Sequence, residues 1–153
     1  MNNITIFDIA EFFLTKKELT HKKLQKLVYY AYAWFIALNN ESKDDIQNIL
    51  FDEQPEAWLH GPVFPSLYQK YKYNSWNEIE KVEKTAIQNE DLISFLNDVW
   101  KKFGKYSADQ LEYTTHQEMP WKNARKDVKN GEHSNKKILL EDIFIYYNSL
   151  IDA

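Results

Sequence analysis

The chain has 153 residues, of which 44% are hydrophobic and 27% charged, and this balance is typical of a globular protein rather than a disordered one. Its formal net charge of −4 at pH 7 gives no indication of the basic face that nucleic-acid binding requires. Cysteine is absent, which excludes disulfides, thiolate nucleophiles and cysteine-ligated metals.

Apolar residues recur at helical spacing from the start of the chain. The first predicted helix covers residues 5–16, with Thr5 as its N-cap. Thr20 is predicted to cap the second helix, which continues to residues 39–40. Its apolar positions, from Leu24 to Leu38, cover most of its circumference, so we expect it to be the central helix of the core. An aromatic-lined ligand groove along this helix is the alternative.

The middle of the chain is less regular. Residues 46–51 fit either a helical turn or a short strand. Pro65 suits the first turn of a third helix that runs to about residue 73, because a missing N–H costs nothing there. The polar stretch that follows has Trp76 and Ile79 as its expected buried anchors.

The second half of the chain again reads as helical. Asn89 is predicted to cap a helix whose apolar stripe ends at Phe103. Ser107 is predicted to cap the next helix, Pro120 to open a further one that runs to about residue 128, and residues 138–151 to form the last.

These elements predict an all-α protein of six or seven helices, with one small irregular or β element near residues 49–60. No repeat or linker divides the chain, so we expect one compact helical domain over residues 4–151. The N-terminus lacks the basic and apolar regions of a signal peptide, and no run approaches the roughly 20 apolar residues of a membrane span. The sequence therefore predicts a cytoplasmic protein without a membrane partner.

Residues 57–68 hold two of the four prolines and one of the three glycines of the chain. The prolines fix their own φ and donate no backbone hydrogen bond, which indicates a rigid corner. Gly61 allows a backbone conformation that a side chain would forbid. Trp58 and His60 stand beside this corner, either on a working surface or with Trp58 as the anchor of a buried turn.

Candidate catalytic groups are few. None of the four histidines shows metalloprotease spacing, and a zinc site built from His60 and His116 with a carboxylate would require the fold to bring them together. The sequence contains no nucleophile elbow and no phosphate-binding loop. No catalytic residue, metal or cofactor is therefore predicted. The lysine pairs at 16–17, 22–23 and 101–102 are expected on solvated helix faces.

Three motifs follow one another along the chain. They are Leu24-Gln25-Lys26-Leu27-Val28-Tyr29-Tyr30-Ala31, then Ala57-Trp58-Leu59-His60-Gly61-Pro62-Val63 with Tyr68, then Thr115-His116 followed by Pro120-Trp121. In order and spacing they resemble the Panacea domain, the SocA-like antitoxin family that is also described as phage-associated proteins. The resemblance extends from Ile9 to Tyr147. It departs at His60, where the family most often has tyrosine.

The resemblance implies a small, mainly helical bacterial or prophage protein that binds a toxin encoded beside it. It implies no catalytic residue and no cofactor. The predicted function is therefore that of the antitoxin in a type II toxin–antitoxin pair. The identity of the toxin and the oligomeric state do not follow. A His-dependent metallohydrolase centred on His60 and His116, or a nucleic-acid-binding regulator, is the alternative function.

Tight inhibition of a toxin requires a desolvated aromatic centre with a polar rim. The aromatic residues beside the Gly-Pro corner and those of the third motif supply such a centre. The predicted protein-binding residues are Trp58, His60, Gly61, Pro62, Tyr68, His116 and Trp121.

Overall fold

The computed structural model describes residues 3–151. This part of the chain forms seven α-helices, one 3-10 turn at Lys72–Asn74 and one two-stranded antiparallel sheet. The elements in chain order are α1 Ile6–Leu14, α2 His21–Asn39, β1 Glu56–Trp58, β2 Gly61–Val63, α3 Pro65–Tyr71, α4 Glu90–Phe103, α5 Ala108–Gln117, α6 Met119–Ala124 and α7 Leu140–Ser149. The predicted all-α class with a small β element is confirmed.

Helix α2 is the centre of the core, as the sequence predicts. It contacts α1, α3, α4, α5, α7 and β2. Its residues Tyr29, Tyr30 and Tyr32 are at most 1% exposed, so they fill the core and do not line a ligand groove. Leu38 was expected on the buried stripe but is 54% exposed, because it lies in the last turn of α2 at the edge of the core.

The helix N-termini begin where their capping residues predict. Thr5 and Asp8 form a capping box at α1, and Ser107 and Gln110 form a second at α5. Thr20 and Asn89 accept hydrogen bonds from backbone N–H groups in the first turns of α2 and α4. Each cap satisfies a donor that has no partner within its helix, and this local effect is why these boundaries follow from sequence.

Two expectations for the loops need correction. Residues 46–51 form neither helix nor strand, because the Asn40 side chain accepts hydrogen bonds from the backbone N–H groups of Gln47 and Asn48 and fixes a loop there. Trp76 is 86% exposed and is not a buried anchor. Ile79 is the anchor of that stretch, since its N–H donates to the carbonyl of Leu19 at 2.7 Å.

Strands β1 and β2 form a hairpin in which Trp58 pairs with Gly61. The Ala57 N–H donates to the carbonyl of Lys136 at 2.7 Å, and the Ile138 N–H donates to that of Pro55 at 2.9 Å. Residues 136–138 therefore cover the outer edge of β1, which is why α7 begins at Leu140 rather than at residue 138. Helices α2 and α5 contact β2 on its other side, so the hairpin is fixed by three distant parts of the chain.

A buried carboxylate connects α2 and α7 at the start of α6. Glu118 is 9% exposed, and its Oε1 accepts hydrogen bonds from the hydroxyls of Tyr30 at 2.9 Å and Tyr147 at 2.7 Å. Loss of solvation outweighs these two hydrogen bonds and raises the pKa of Glu118 to about 7.

We expect Glu118→Gln to change how stability depends on pH. Because the folded-state pKa lies above the unfolded value, the carboxyl group costs stability as pH rises from about 4.5 to about 7. Glutamine does not titrate and keeps an acceptor for both tyrosines. In urea titrations, the difference in unfolding free energy, variant minus parent, should increase by about 2–3 kcal/mol between about pH 5 and about pH 8. A difference that does not change with pH would show that Glu118 titrates normally.

Candidate functional site

The hairpin turn depends on the absence of a side chain at Gly61. Gly61 has φ +113°, which confirms the expected special backbone conformation. A Cβ at this position would lie 2.7 Å from Lys26 Cε and 3.1 Å from Thr115 Oγ1. Gly61 and Pro62 are both buried. They therefore place the hairpin against α2 and α5 and do not themselves form an exposed surface.

A cavity of about 650 Å³ opens between the hairpin, the start of α2, α3 and the start of α5. We call it the aromatic cavity, and it is lined by Thr20, His21, Lys22, Gln25, Lys26, Trp58, His60, Val63, Tyr68, Ser75, Trp76, Ser107, Ala108 and Asp109. The rings of Trp58 and Tyr68 meet edge to face at 5.0 Å, and His21 contacts Tyr68 in the same way at 5.9 Å. The exposed ring of Trp76 stands at its rim.

A second cavity, of about 450 Å³, lies between the hairpin turn, α5 and α6. His116 and Trp121 line it, and their rings stack at 3.9 Å. Trp121 Nε1 donates to the carbonyl of Trp58 at 2.9 Å, and Arg125 Nη1 donates to that of Ala57 at 2.9 Å. These two side chains therefore hold the backbone of β1 in place.

The structure brings all seven residues predicted for the site together around the hairpin. Trp58, His60 and Tyr68 line the aromatic cavity. His116 and Trp121 line the second cavity. Gly61 and Pro62 lie in the hairpin itself.

Glu112 of α5 contacts one lysine and two histidines of the site. Its carboxylate lies 2.5 Å from Lys22 Nζ, 3.1 Å from His60 Nδ1 and 4.0 Å from His116 Nε2. Burial alone would raise the pKa of Glu112, but the contacts with Lys22 and His60 hold it below its ordinary value. Glu112 is therefore a carboxylate held by Lys22 and His60 rather than a free acid.

The lysine pair at 22–23 is not the solvated face that the sequence suggested. Lys22 Nζ contacts Asp109 at 2.9 Å as well as Glu112. Lys23 Nζ donates to the carbonyl of Gly104 at 2.7 Å. Both lysines are half-buried because the start of α2 packs against the segment that joins α4 to α5.

This geometry gives little support to a metallohydrolase site at His60 and His116. His60 and His116 both approach Glu112, as such a site would need, but Lys22 already contacts the other oxygen of that carboxylate. Within residues 3–151, no group of three His, Cys, Asp or Glu side chains has the arrangement of a metal site. Burial lowers the pKa of His116, which favours a neutral imidazole stacked on Trp121.

Sequence reasoning did not select Lys26, which lies beneath the hairpin. Lys26 is 2% exposed, and its Nζ donates a long hydrogen bond of 3.4 Å to the carbonyl of Pro62. Burial lowers the pKa of Lys26 to about 7. The sequence did contain a signal for its burial, since Lys26 is a single lysine within the apolar run of α2. For Glu112 the local signal was its i,i+4 spacing from His116 on α5, whereas Lys22 and His60 come from other elements.

The comparison with known families identifies the chain. The family model described as "Antitoxin SocA-like, Panacea domain" matches residues 24–122, which is well over half of the sequence. This protein therefore belongs to the SocA-like antitoxin family with a Panacea domain, and the resemblance seen in its motifs is confirmed. The match contains all seven candidate residues. Comparison with curated proteins and with solved structures found no match to this chain.

Proteins of an antitoxin family have, in general, a toxin as partner, and this chain shares that expectation. None of the helices in residues 3–151 has the length and apolar character needed to cross a membrane.

Proposed function

We propose that this protein is the antitoxin of a type II pair and that it neutralises a cognate protein toxin by direct, stoichiometric binding in the cytoplasm. The observation that carries the proposal is that the hairpin and most of the residues that line the aromatic cavity lie within the segment that matches the antitoxin family. The function is binding rather than catalysis. The toxin is the product of a small neighbouring reading frame that is harmful when expressed alone.

The proposed binding surface has Trp58, His60 and Tyr68 at its centre and the exposed ring of Trp76 at its rim. A few residues, most often Trp, Tyr and Arg in well-packed pockets, supply most of the binding energy at protein interfaces. His116 and Trp121 contribute by lining the adjoining cavity and, for Trp121, by holding the carbonyl of Trp58. Gly61 and Pro62 contribute by fixing the hairpin on which these side chains stand.

A fixed surface loses little conformational entropy when it binds, and this lowers the cost of forming the complex. Bound in this way, the antitoxin either covers the active surface of the toxin or holds it in an inactive conformation. We further propose that the functional domain extends beyond the matched segment, over residues 4–151. Helices α1 and α7 support this extension because both pack on α2 in the same hydrophobic core.

The test is neutralisation during co-expression with the neighbouring toxin, with a melting curve for each variant. Trp58→Ala and His60→Ala should remain folded and lose neutralisation, because each removes a ring from the cavity. The matched control is Ile145→Ala, which shortens a 41% exposed apolar side chain on α7 outside both cavities and should neutralise like the parent.

A milder variant separates affinity from stability. The His60 side chain is 71% exposed and contacts Glu112, so His60→Tyr should melt within about 2 °C of the parent while its affinity or choice of toxin changes. If the Trp58→Ala and His60→Ala variants are both folded and both neutralise the toxin fully, the binding surface lies elsewhere and the hairpin has only a structural role.

A further inference from the structure

Lys26 and His21 bring unused hydrogen-bonding groups to the aromatic cavity. The Lys26 ammonium has three donors, and within residues 3–151 it makes one hydrogen bond, the long contact to the carbonyl of Pro62. His21 Nδ1 is buried and has no hydrogen-bond partner within residues 3–151. Buried polar groups are normally paired, so a ligand that supplies acceptor oxygens would satisfy both.

The charges around the cavity also favour an anionic ligand. Among the residues that line it, the one carboxylate is Asp109, which lies 2.9 Å from Lys22. The nearby carboxylate of Glu112 is held by Lys22 and His60. Lys26 has no carboxylate within ion-pair distance among the described residues. An anion that reaches the floor of the cavity therefore meets a lysine that, within residues 3–151, has no carboxylate in direct contact, since Glu112 acts on it only from a distance.

The walls of the cavity suit a flat apolar body. The edge-to-face rings of Trp58 and Tyr68, together with Val63, form an apolar lining above Lys26. A volume of about 650 Å³ lies within the range of small-molecule sites, which are mostly apolar with a few placed polar groups.

From these contacts we infer that the aromatic cavity binds a small aromatic carboxylic acid, with its ring against Trp58 and Tyr68 and its carboxylate on the Lys26 ammonium. His21 Nδ1–H supplies a second donor to the same ligand. Bound carboxylate favours the charged form of Lys26 and so offsets the lowering of its pKa by burial. This site is a property of the free chain and does not depend on the proposed toxin binding.

The test is an NMR titration of the ¹⁵N-labelled free chain with phenylacetate and, separately, with the uncharged phenylacetamide. A concentration of about 10 mM is sufficient for the millimolar affinity expected of so small a ligand. Phenylacetate should shift the amide signals of Gly61 and Val63 and of the first turns of α2, whereas phenylacetamide should bind at least about tenfold more weakly, the loss expected without the charged hydrogen bond.

Variants locate the interaction. Lys26→Met should weaken phenylacetate binding by at least about tenfold, and Lys81→Met, at an exposed lysine in a loop, should leave it unchanged. Three results would overturn the inference: no shifts with phenylacetate, equal binding of phenylacetamide, or unchanged binding in Lys26→Met. The comparison of the two probes uses the unaltered protein, so it decides the question even if Lys26→Met fails to fold.

Discussion

Replacement of Gly61 by alanine should lower the free energy of unfolding by about 2–5 kcal/mol. Positive φ costs a residue with a side chain about 1–2 kcal/mol, and Gly61 has φ +113°. The added Cβ would also lie 2.7 Å from Lys26 Cε. Lys26 is only 2% exposed, so its side chain has little room to move away, and overpacking of this kind costs a further 1–3 kcal/mol or so. Urea titration at neutral pH measures the total loss of unfolding free energy.

Gly131→Ala is the matched control, since Gly131 also has a positive φ, +81°, but a Cβ there would meet no atom within 4 Å. It should cost only the backbone strain, about 1–2 kcal/mol. In co-expression, the Gly61 variant should lose neutralisation at temperatures where it is still folded, because the strained hairpin carries the proposed surface. If Gly61→Ala and Gly131→Ala lose the same free energy of unfolding, close packing of the hairpin on α2 and α5 is not the reason that position 61 requires glycine.

Phe103→Ala should be the second large loss, about 3–5 kcal/mol. Phe103 is 8% exposed at the end of α4, and its ring stacks on that of Tyr30 at 4.2 Å with 6° between the planes. Its removal leaves a cavity beside the hydrogen bond from Tyr30 to Glu118. Denaturant titration measures the loss.

Tyr113→Ala provides the control for Phe103, since Tyr113 is an aromatic residue of α5 that is 68% exposed. It should change the unfolding free energy by no more than about 0.5 kcal/mol. A loss below about 1 kcal/mol for Phe103→Ala would contradict the packing of α4 on α2, because even partial burial of a phenylalanine costs more than that.

The helices could be predicted because their signals are local. The Thr5, Thr20, Asn89 and Ser107 caps each act within one turn, and the apolar stripe of α2 is continuous in sequence. Trp76 shows where this reasoning fails. Its size suggested an anchor, but the chain turns after the 3-10 helix and the shorter Ile79 is the residue that reaches the core.

The candidate site was predictable only in part. The glycine and prolines indicated a rigid corner, and Gly61 has the backbone conformation that this reading required. The pairing of β1 with residues 136–138 could not be foreseen, because it joins segments about 80 residues apart. The contacts of Glu112 with Lys22 and His60 were equally hidden, since they depend on how α2, the hairpin and α5 pack together.

Calorimetric titration of the purified chain with the product of the neighbouring toxin gene tests the central proposal most directly. We predict a stoichiometric complex, with an affinity that falls by at least about thirtyfold in Trp58→Ala, the loss typical of a hot-spot residue, and that is unchanged in Ile145→Ala. Neutralisation of the toxin in cells without a complex between the purified proteins would contradict direct binding. A complex of full affinity with folded Trp58→Ala would contradict the aromatic cavity as its site.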